Sequence, residues 1–213
     1  IVDHYMQTLE PFGITTVYRS PEISVSIEQQ AAVKRLLAEE GVPTSKPIVA
    51  IHPFSLWRYK EWSLDKVSSL ILRLSDEYDL GFVICGATSE WKKAQEITDQ
   101  CKGNVYNLAG KTTMESLPCL LSFATLFVGV DSVGIHIAAA VGVPTVCLYG
   151  PSSPVTWAPR GKMHRVVQKD MSCVPCEQTG CQGSMKSRCL DDLSVEEVQA
   201  VVLNRLLDLL AQE

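Results

Sequence analysis

The stretch LFVGVDSVGIHIAAAVGVPTVCLYG, residues 126–150, holds a complete strand, turn, helix and second strand. Leu126 to Val130 and Pro144 to Tyr149 are short apolar runs, and the alanine-rich segment Ile135 to Val141 between them closes at Gly142. Strands that are apolar throughout, rather than alternating, belong to a parallel sheet covered on both faces. Asp131 sits at the turn, the one charged residue between Ser116 and Pro159, with His136 a helical turn away. Removing water from a carboxylate costs several kcal/mol even after relaxation, so an acid in such a stretch belongs at an edge, not deep in the core without a partner. In open α/β sheets that edge, where a strand gives way to a helix, is where ligands bind.

The same alternation extends outward in both directions. Ser26 to Glu40 is expected to be a helix with Ile27, Ala31, Leu36 and Leu37 on its apolar stripe, stopped by Gly41 and Pro43. Pro47 to His52 reads as a buried strand and Pro53 to Trp62 as a loop. Ser63 then caps a helix whose inner face is Leu64, Val67, Leu70, Ile71 and Leu74. There follow a strand at Gly81 to Cys85, a helix from Glu90 to Cys101, a strand at Val105 to Leu108 and a helix from Met114 to Phe123. A short strand at His164 to Gln168 and a terminal helix at Val195 to Leu210 complete the pattern, a Rossmann-like doubly wound parallel α/β sheet. Tyr5 to Phe12 is amphipathic and ends at Gly13, so residues 1–25 are read as a lead-in from another domain and 26–213 as the domain itself.

Composition narrows the function classes. The 213 residues carry a formal net charge of -5 with a pI near 5.4, and no Lys/Arg run tracks a phosphate backbone, which argues against nucleic acid. No apolar run reaches the roughly 20 residues of a membrane span. The chain starts at Ile1 with no charged leader and reads as a fragment of a cytoplasmic protein, a setting in which an even cysteine count does not imply disulfides.

Five constellations bear on chemistry. A helix beginning just after Asp131 aims its free N–H groups at the crevice, which suits a phosphate, and Ser132 adds a hydroxyl; the bland alternative makes Asp131 an N-cap and His136 a core histidine. Gly150-Pro151-Ser152-Ser153 ends the next strand at the same edge, although a plain turn accounts for the same residues. Ser55, Arg58 and Lys60 occupy the loop after the first core strand, where cations meet a diphosphate or simply face water; Trp57 and Trp62 are read as packing residues. Gly110-Lys111-Thr112-Thr113 looks like the end of a P-loop, but Val105 stands where the leading glycine is needed, so Thr112 or Thr113 is read as a helix cap. Cys173, Cys176, Cys181 and Cys189, in a loop spanning 171–190, have spacing compatible with structural zinc, with disulfides or free thiols as the alternatives and a redox dithiol the weakest reading.

Taken together, His52-Pro53, Lys60 with Trp62, Gly86 with Glu90, Asn107 to Thr113, Asp131-Ser132 with His136, Gly142-x-Pro144, Gly150-Pro151 and the cysteine cluster resemble glycosyltransferase family 9, the lipopolysaccharide heptosyltransferases. The resemblance implies the C-terminal, nucleotide-sugar-binding half of a GT-B enzyme. By position it assigns Ser55 and Lys60 to the diphosphate, with Lys60 stabilising the leaving group. Glu90 falls to the ribose or base edge, Thr112 to the base, Asp131 to sugar hydroxyls, and Ser132, Gly134 and His136 to the phosphate-facing turn. It further implies an inverting transferase with ADP-heptose the favoured donor and no required cofactor, serving lipopolysaccharide core or related envelope glycan synthesis. The catalytic Asp and the lipid-linked glycan acceptor site would belong to a missing N-terminal domain, so this fragment alone would be inactive, and the enzyme would lie at the inner face of the inner membrane. A GT-B nucleotide-sugar epimerase half and a non-catalytic metal-stabilised interaction module are the alternatives.

Overall fold

The computed structural model describes residues 6–15 and 20–211. Its centre is one parallel sheet of six strands: β1 Ile48–His52, β2 Gly81–Ile84, β3 Val105–Asn107, β4 Leu126–Val130, β5 Thr145–Tyr149 and β6 His164–Gln168. The strand order is β3-β2-β1-β4-β5-β6. The chain therefore builds outward from β1 to β3, returns to lay β4 against the other side of β1, and continues to the opposite edge. Every residue of β1, β2, β4 and β5 is buried, as strands with helices on both faces must be. At the reversal between β1 and β4, His52 is the register partner of Gly129.

Two helical layers cover the sheet. On one face lie α2 (Leu64–Glu77), α3 (Trp91–Gln100) and α8 (Val195–Leu210), delivering Val67, Leu70, Ile71, Leu74, Ile97, Val198, Val202 and Leu206 to a core shared with Val49, Ile51 and Val128. On the other lie α1 (Ile27–Glu39), α4 (Leu117–Leu121) and α5 (Val133–Ala140), which pack Val33, Leu37, Leu120, Leu121, Ile135 and Ala138 against Ile48, Ala50 and Phe127. Helices α1 and α8 open with capping boxes, Ser26 with Gln29 and Ser194 with Glu197, each satisfying two amides that the first turn leaves unpaired. Two four-residue helices, α6 (Pro154–Trp157) and α7 (Arg188–Asp191), complete the set. None of the described helices is long and apolar enough to cross a membrane.

The alternation expected from the sequence is observed, with corrections at particular residues. Ile27 is 80% exposed, and the inner face of α1 is formed by Val33 and Leu37. The helix expected from Met114 to Phe123 is only Leu117–Leu121, because Pro118 lies in its first turn and residues 113–116 are held in a turn where Thr113 and Ser116 exchange amide-to-hydroxyl hydrogen bonds of 2.9 and 3.3 Å. Neither Thr112 nor Thr113 caps it; Ser116 stands at that position. Ser63 occupies the N-cap of α2 without a side-chain cap bond. In the lead-in, Glu10–Phe12 is a 3-10 turn closed by Gly13 at φ +71°, while Tyr5 lies outside the described residues. Further on, the Ile23 amide donates to the Ala140 carbonyl at 2.8 Å, tying the lead-in to the end of α5.

Candidate functional site

Loops after β1, β2, β3 and β4 surround a cavity of about 660 Å³ at the carboxyl edge of the sheet, over the point where strand order reverses. This is the location at which open α/β sheets hold their ligands. Ser55, Lys60, Glu90, Thr112, Asp131, Ser132 and His136 all line it. Gly134 does not: it is buried, and a Cβ there would lie 3.1 Å from Phe127 Cζ and 3.3 Å from His52 Cγ. Its role is to let α5 lie close against β1 and β4.

The floor is an ion pair. Lys60 Nζ donates to Asp131 Oδ2 at 2.6 Å, with the two side chains 21% and 7% exposed. The β1–α2 loop carries Lys60 back over the sheet by turning through a 3-10 helix at Arg58–Lys60, and Trp62, 2% exposed, anchors the loop by donating from Nε1 to the Leu193 carbonyl at 3.0 Å. Glu61 holds the same loop from inside, accepting from the Ser55 amide at 3.2 Å and from Lys93 Nζ at 3.2 Å. Trp62 packs as expected, but Trp57 is half exposed at the cavity mouth.

The wall formed by the loops after β2 and β3 depends on one glycine. Gly110 has φ +75° and donates its amide to the Gly86 carbonyl at 2.8 Å; a Cβ there would come within 2.8 Å of Thr88 Cα. This contact joins the loops that carry Thr112 and Glu90, both of which line the cavity, and Glu90 Oε2 accepts the Ala87 amide at 2.7 Å.

On the remaining side, Ser132 stands at the N-cap of α5, a position whose residue type ordinarily accepts an amide of the first turn. Here it makes no cap bond; its Oγ lies 3.2 Å from Nδ1 of His52. His52 is 9% exposed, and burial pulls its pKa down to about 4, outweighing the nearby His52 and Phe54 carbonyls and the Glu61 charge, so the ring is neutral. His52 belongs to the family pattern in the sequence, which gives it no role of its own. Its signal is positional: a histidine ending the strand next to the one that delivers Asp131.

Other candidates lie elsewhere. Arg58 is exposed off the cavity, and Lys111 pairs with Glu40 at 2.8 Å. Gly150 to Ser153 is tied to the cysteine-rich loop and β6: Gln168 Nε2 donates to the Gly150 and Ser152 carbonyls at 2.8 and 3.1 Å, and the Glu177 amide donates to Pro151. The four clustered thiols are free; Cys173 and Cys181 are exposed, while Cys189 is buried and its pKa is pushed up to about 11 by burial, with Cys176 and Cys181 adding to the effect. Among the described residues no three His, Cys, Asp or Glu side chains are grouped to hold a metal ion. A second cavity, about 760 Å³, runs between residues 20–24 and the 156–164 segment; it shares His136 and Trp157 with the first but lacks the Lys60–Asp131 pair.

A six-stranded parallel sheet with this cluster at its reversal point places the chain among Rossmann-like doubly wound α/β domains. The chain belongs to glycosyltransferase family 9 (heptosyltransferase), whose model matches residues 1–186. Over 161 residues it is 34% identical to lipopolysaccharide heptosyltransferase 3 of Escherichia coli K12, covering 75% of this chain and 46% of that protein. It is 30% identical over 159 residues to lipooligosaccharide heptosyltransferase 2 of Campylobacter jejuni, covering 72% and 49%. The chain thus spans about half the length of these curated relatives. Among solved structures, the family 9 glycosyltransferase of Veillonella parvula superposes with a TM-score of 0.80 at 22% identity, covering 97% of this chain and 60% of that one. E. coli ADP-heptose heptosyltransferase II does so with 0.74 at 24% identity, covering 93% and 56%.

Proposed function

We propose that this chain is the nucleotide-sugar-binding half of an inverting glycosyltransferase acting in lipopolysaccharide core or related envelope glycan synthesis, with ADP-heptose the favoured donor. The observation that carries the reading is the Lys60–Asp131 pair on the cavity floor, set between the start of α5 and the Glu90–Thr112 wall. A diphosphate fits between Lys60 and the first-turn amides of α5, where cation and helix dipole act together. Glu90 then faces the ribose, Thr112 the base, and Asp131 the sugar hydroxyls.

In the transfer step an acceptor hydroxyl attacks the anomeric carbon as the bond to the diphosphate breaks. Negative charge grows on the departing phosphate, and Lys60, already placed, stabilises it without reorganisation. The acceptor proton goes to a carboxylate base supplied by the N-terminal half of the enzyme, which also carries the lipid-linked acceptor. Alone, this half binds donor without turnover at the cytoplasmic face of the inner membrane, and the scheme requires no cofactor.

Calorimetry with ADP, ADP-heptose and UDP-glucose tests this. ADP and ADP-heptose should bind at one site and UDP-glucose more weakly; a folded chain that gives no heat with either adenine ligand overturns the reading.

A further inference from the structure

The His52–Ser132 contact bears on how an anion is recognised here. Ser132 stands at the N-cap of α5 yet makes no cap bond, so the first-turn amides have no side-chain partner and the hydroxyl turns instead to His52 Nδ1, 3.2 Å away. The ring is locked in that orientation. Phe54 packs edge-on against it, centroids 6.1 Å apart at 74°, and Gly134 leaves only enough room for α5 to lie on it. Both His52 and Ser132 line the cavity beside Lys60.

A hydroxyl has one proton, and a neutral imidazole carries one N–H and one bare nitrogen. If Nδ1 is bare, it accepts a hydrogen bond from the Ser132 hydroxyl, and Ser132 then presents only lone pairs to the cavity, which repel an anion. If Nδ1 carries the proton, it donates to Ser132 Oγ, and the serine proton is free to point into the cavity. Only the second arrangement makes Ser132 a donor to a phosphate.

We propose that His52 is a positioning residue: as its Nδ1–H tautomer it donates to Ser132 Oγ and thereby aims the serine proton at the diphosphate of the donor. This rests on the nucleotide-sugar reading of the cavity. Burial supports it independently, since the lowered pKa keeps the ring neutral and therefore able to hold a single defined tautomer.

The test is ADP titration of the chain and its variants, with adenosine as the phosphate-free comparison. His52→Phe keeps the shape without a donor, and Ser132→Ala removes the relay; each should weaken ADP about tenfold, the loss of one hydrogen bond to a charged group. The double variant should be no worse than either single one, because the two act as one unit. His52→Asn, whose amide nitrogen falls near the place of Nδ1, should restore affinity to within about threefold, and adenosine should bind all variants alike. Long-range proton–nitrogen NMR should show Nδ1 of His52 protonated. A bare Nδ1, an Ser132→Ala variant that binds ADP normally, or a His52→Phe variant that loses adenosine as much as ADP overturns the proposal. Failure of the unaltered chain to bind ADP overturns the nucleotide-sugar reading, and this with it.

Discussion

Lys60 Nζ and Asp131 Oδ2 lie 2.6 Å apart although 71 residues separate them, and the carboxylate side is 7% exposed. At that burial the pair is a commitment: either partner left alone is a charge with little water around it. Lys60→Met should lower unfolding free energy by roughly 3 kcal/mol and weaken ADP binding more than tenfold. Urea denaturation and calorimetry on one preparation check both. A variant as stable as the unaltered chain would show that Asp131 is better hydrated than its position implies.

His52 makes stability pH-dependent. Its folded pKa lies below its unfolded value, so between pH 6.5 and about 4 the unfolded chain takes up a proton that the folded chain refuses. Stability from this group is therefore complete above pH 6.5 and declines as pH falls, by up to roughly 3 kcal/mol at pH 4. His164, its pKa lowered by burial and by Arg205 and Arg165, acts in the same direction. Melting temperatures measured from pH 7 to 4.5 should fall, and His52→Asn should flatten the curve without abolishing it.

Gly110→Ala should cost about 3 kcal/mol, combining a left-handed backbone for a residue with a Cβ and overlap with the Thr88 backbone. Because Gly110 holds the Thr112 loop against the Glu90 loop, adenosine affinity should fall together with stability. Thermal unfolding and adenosine titration read the two effects; loss of stability with unchanged affinity would separate that wall from the base.

The cysteines sort by exposure. Cys173 and Cys181 should react at once with a disulfide reagent and Cys176 more slowly. Cys85, Cys101, Cys119, Cys147 and Cys189 should wait for unfolding. Burial raises the pKa of these slow thiols, to about 12 for Cys85 and Cys147, which keeps them protonated and inert. Zinc on the clustered four would instead protect Cys173 and Cys181 until a chelator is added.

How far the sequence reached differs by element, for physical reasons. The buried strands are legible because a parallel sheet demands unbroken apolar runs, as at Leu126–Val130; the partly exposed edge strand His164–Gln168 and the helix Val195–Leu210 also stand at the bounds read from the sequence. Helices α6 and α7 were not seen, since four residues are too few to show a period. Ile27 was misplaced onto the inner face because apolar character at a helix start says nothing about which way it points. Within the site, Asp131 announced itself by isolation, but its partner did not. Only the fold brings Lys60 to it, and only the fold shows Ser132 diverted from capping to His52.

We predict that the cavity over the β1–β4 reversal, not the larger one beside residues 20–24, receives the nucleotide. Backbone amide NMR of the chain titrated with ADP tests it most directly. Shifts should concentrate at Ser55 to Lys60, Gly86 to Glu90, Thr112 and Ser132 to Ile135. Shifts centred instead on Ile23, Ala158 and Met163, with the Lys60 and Ser132 amides unmoved, would contradict it.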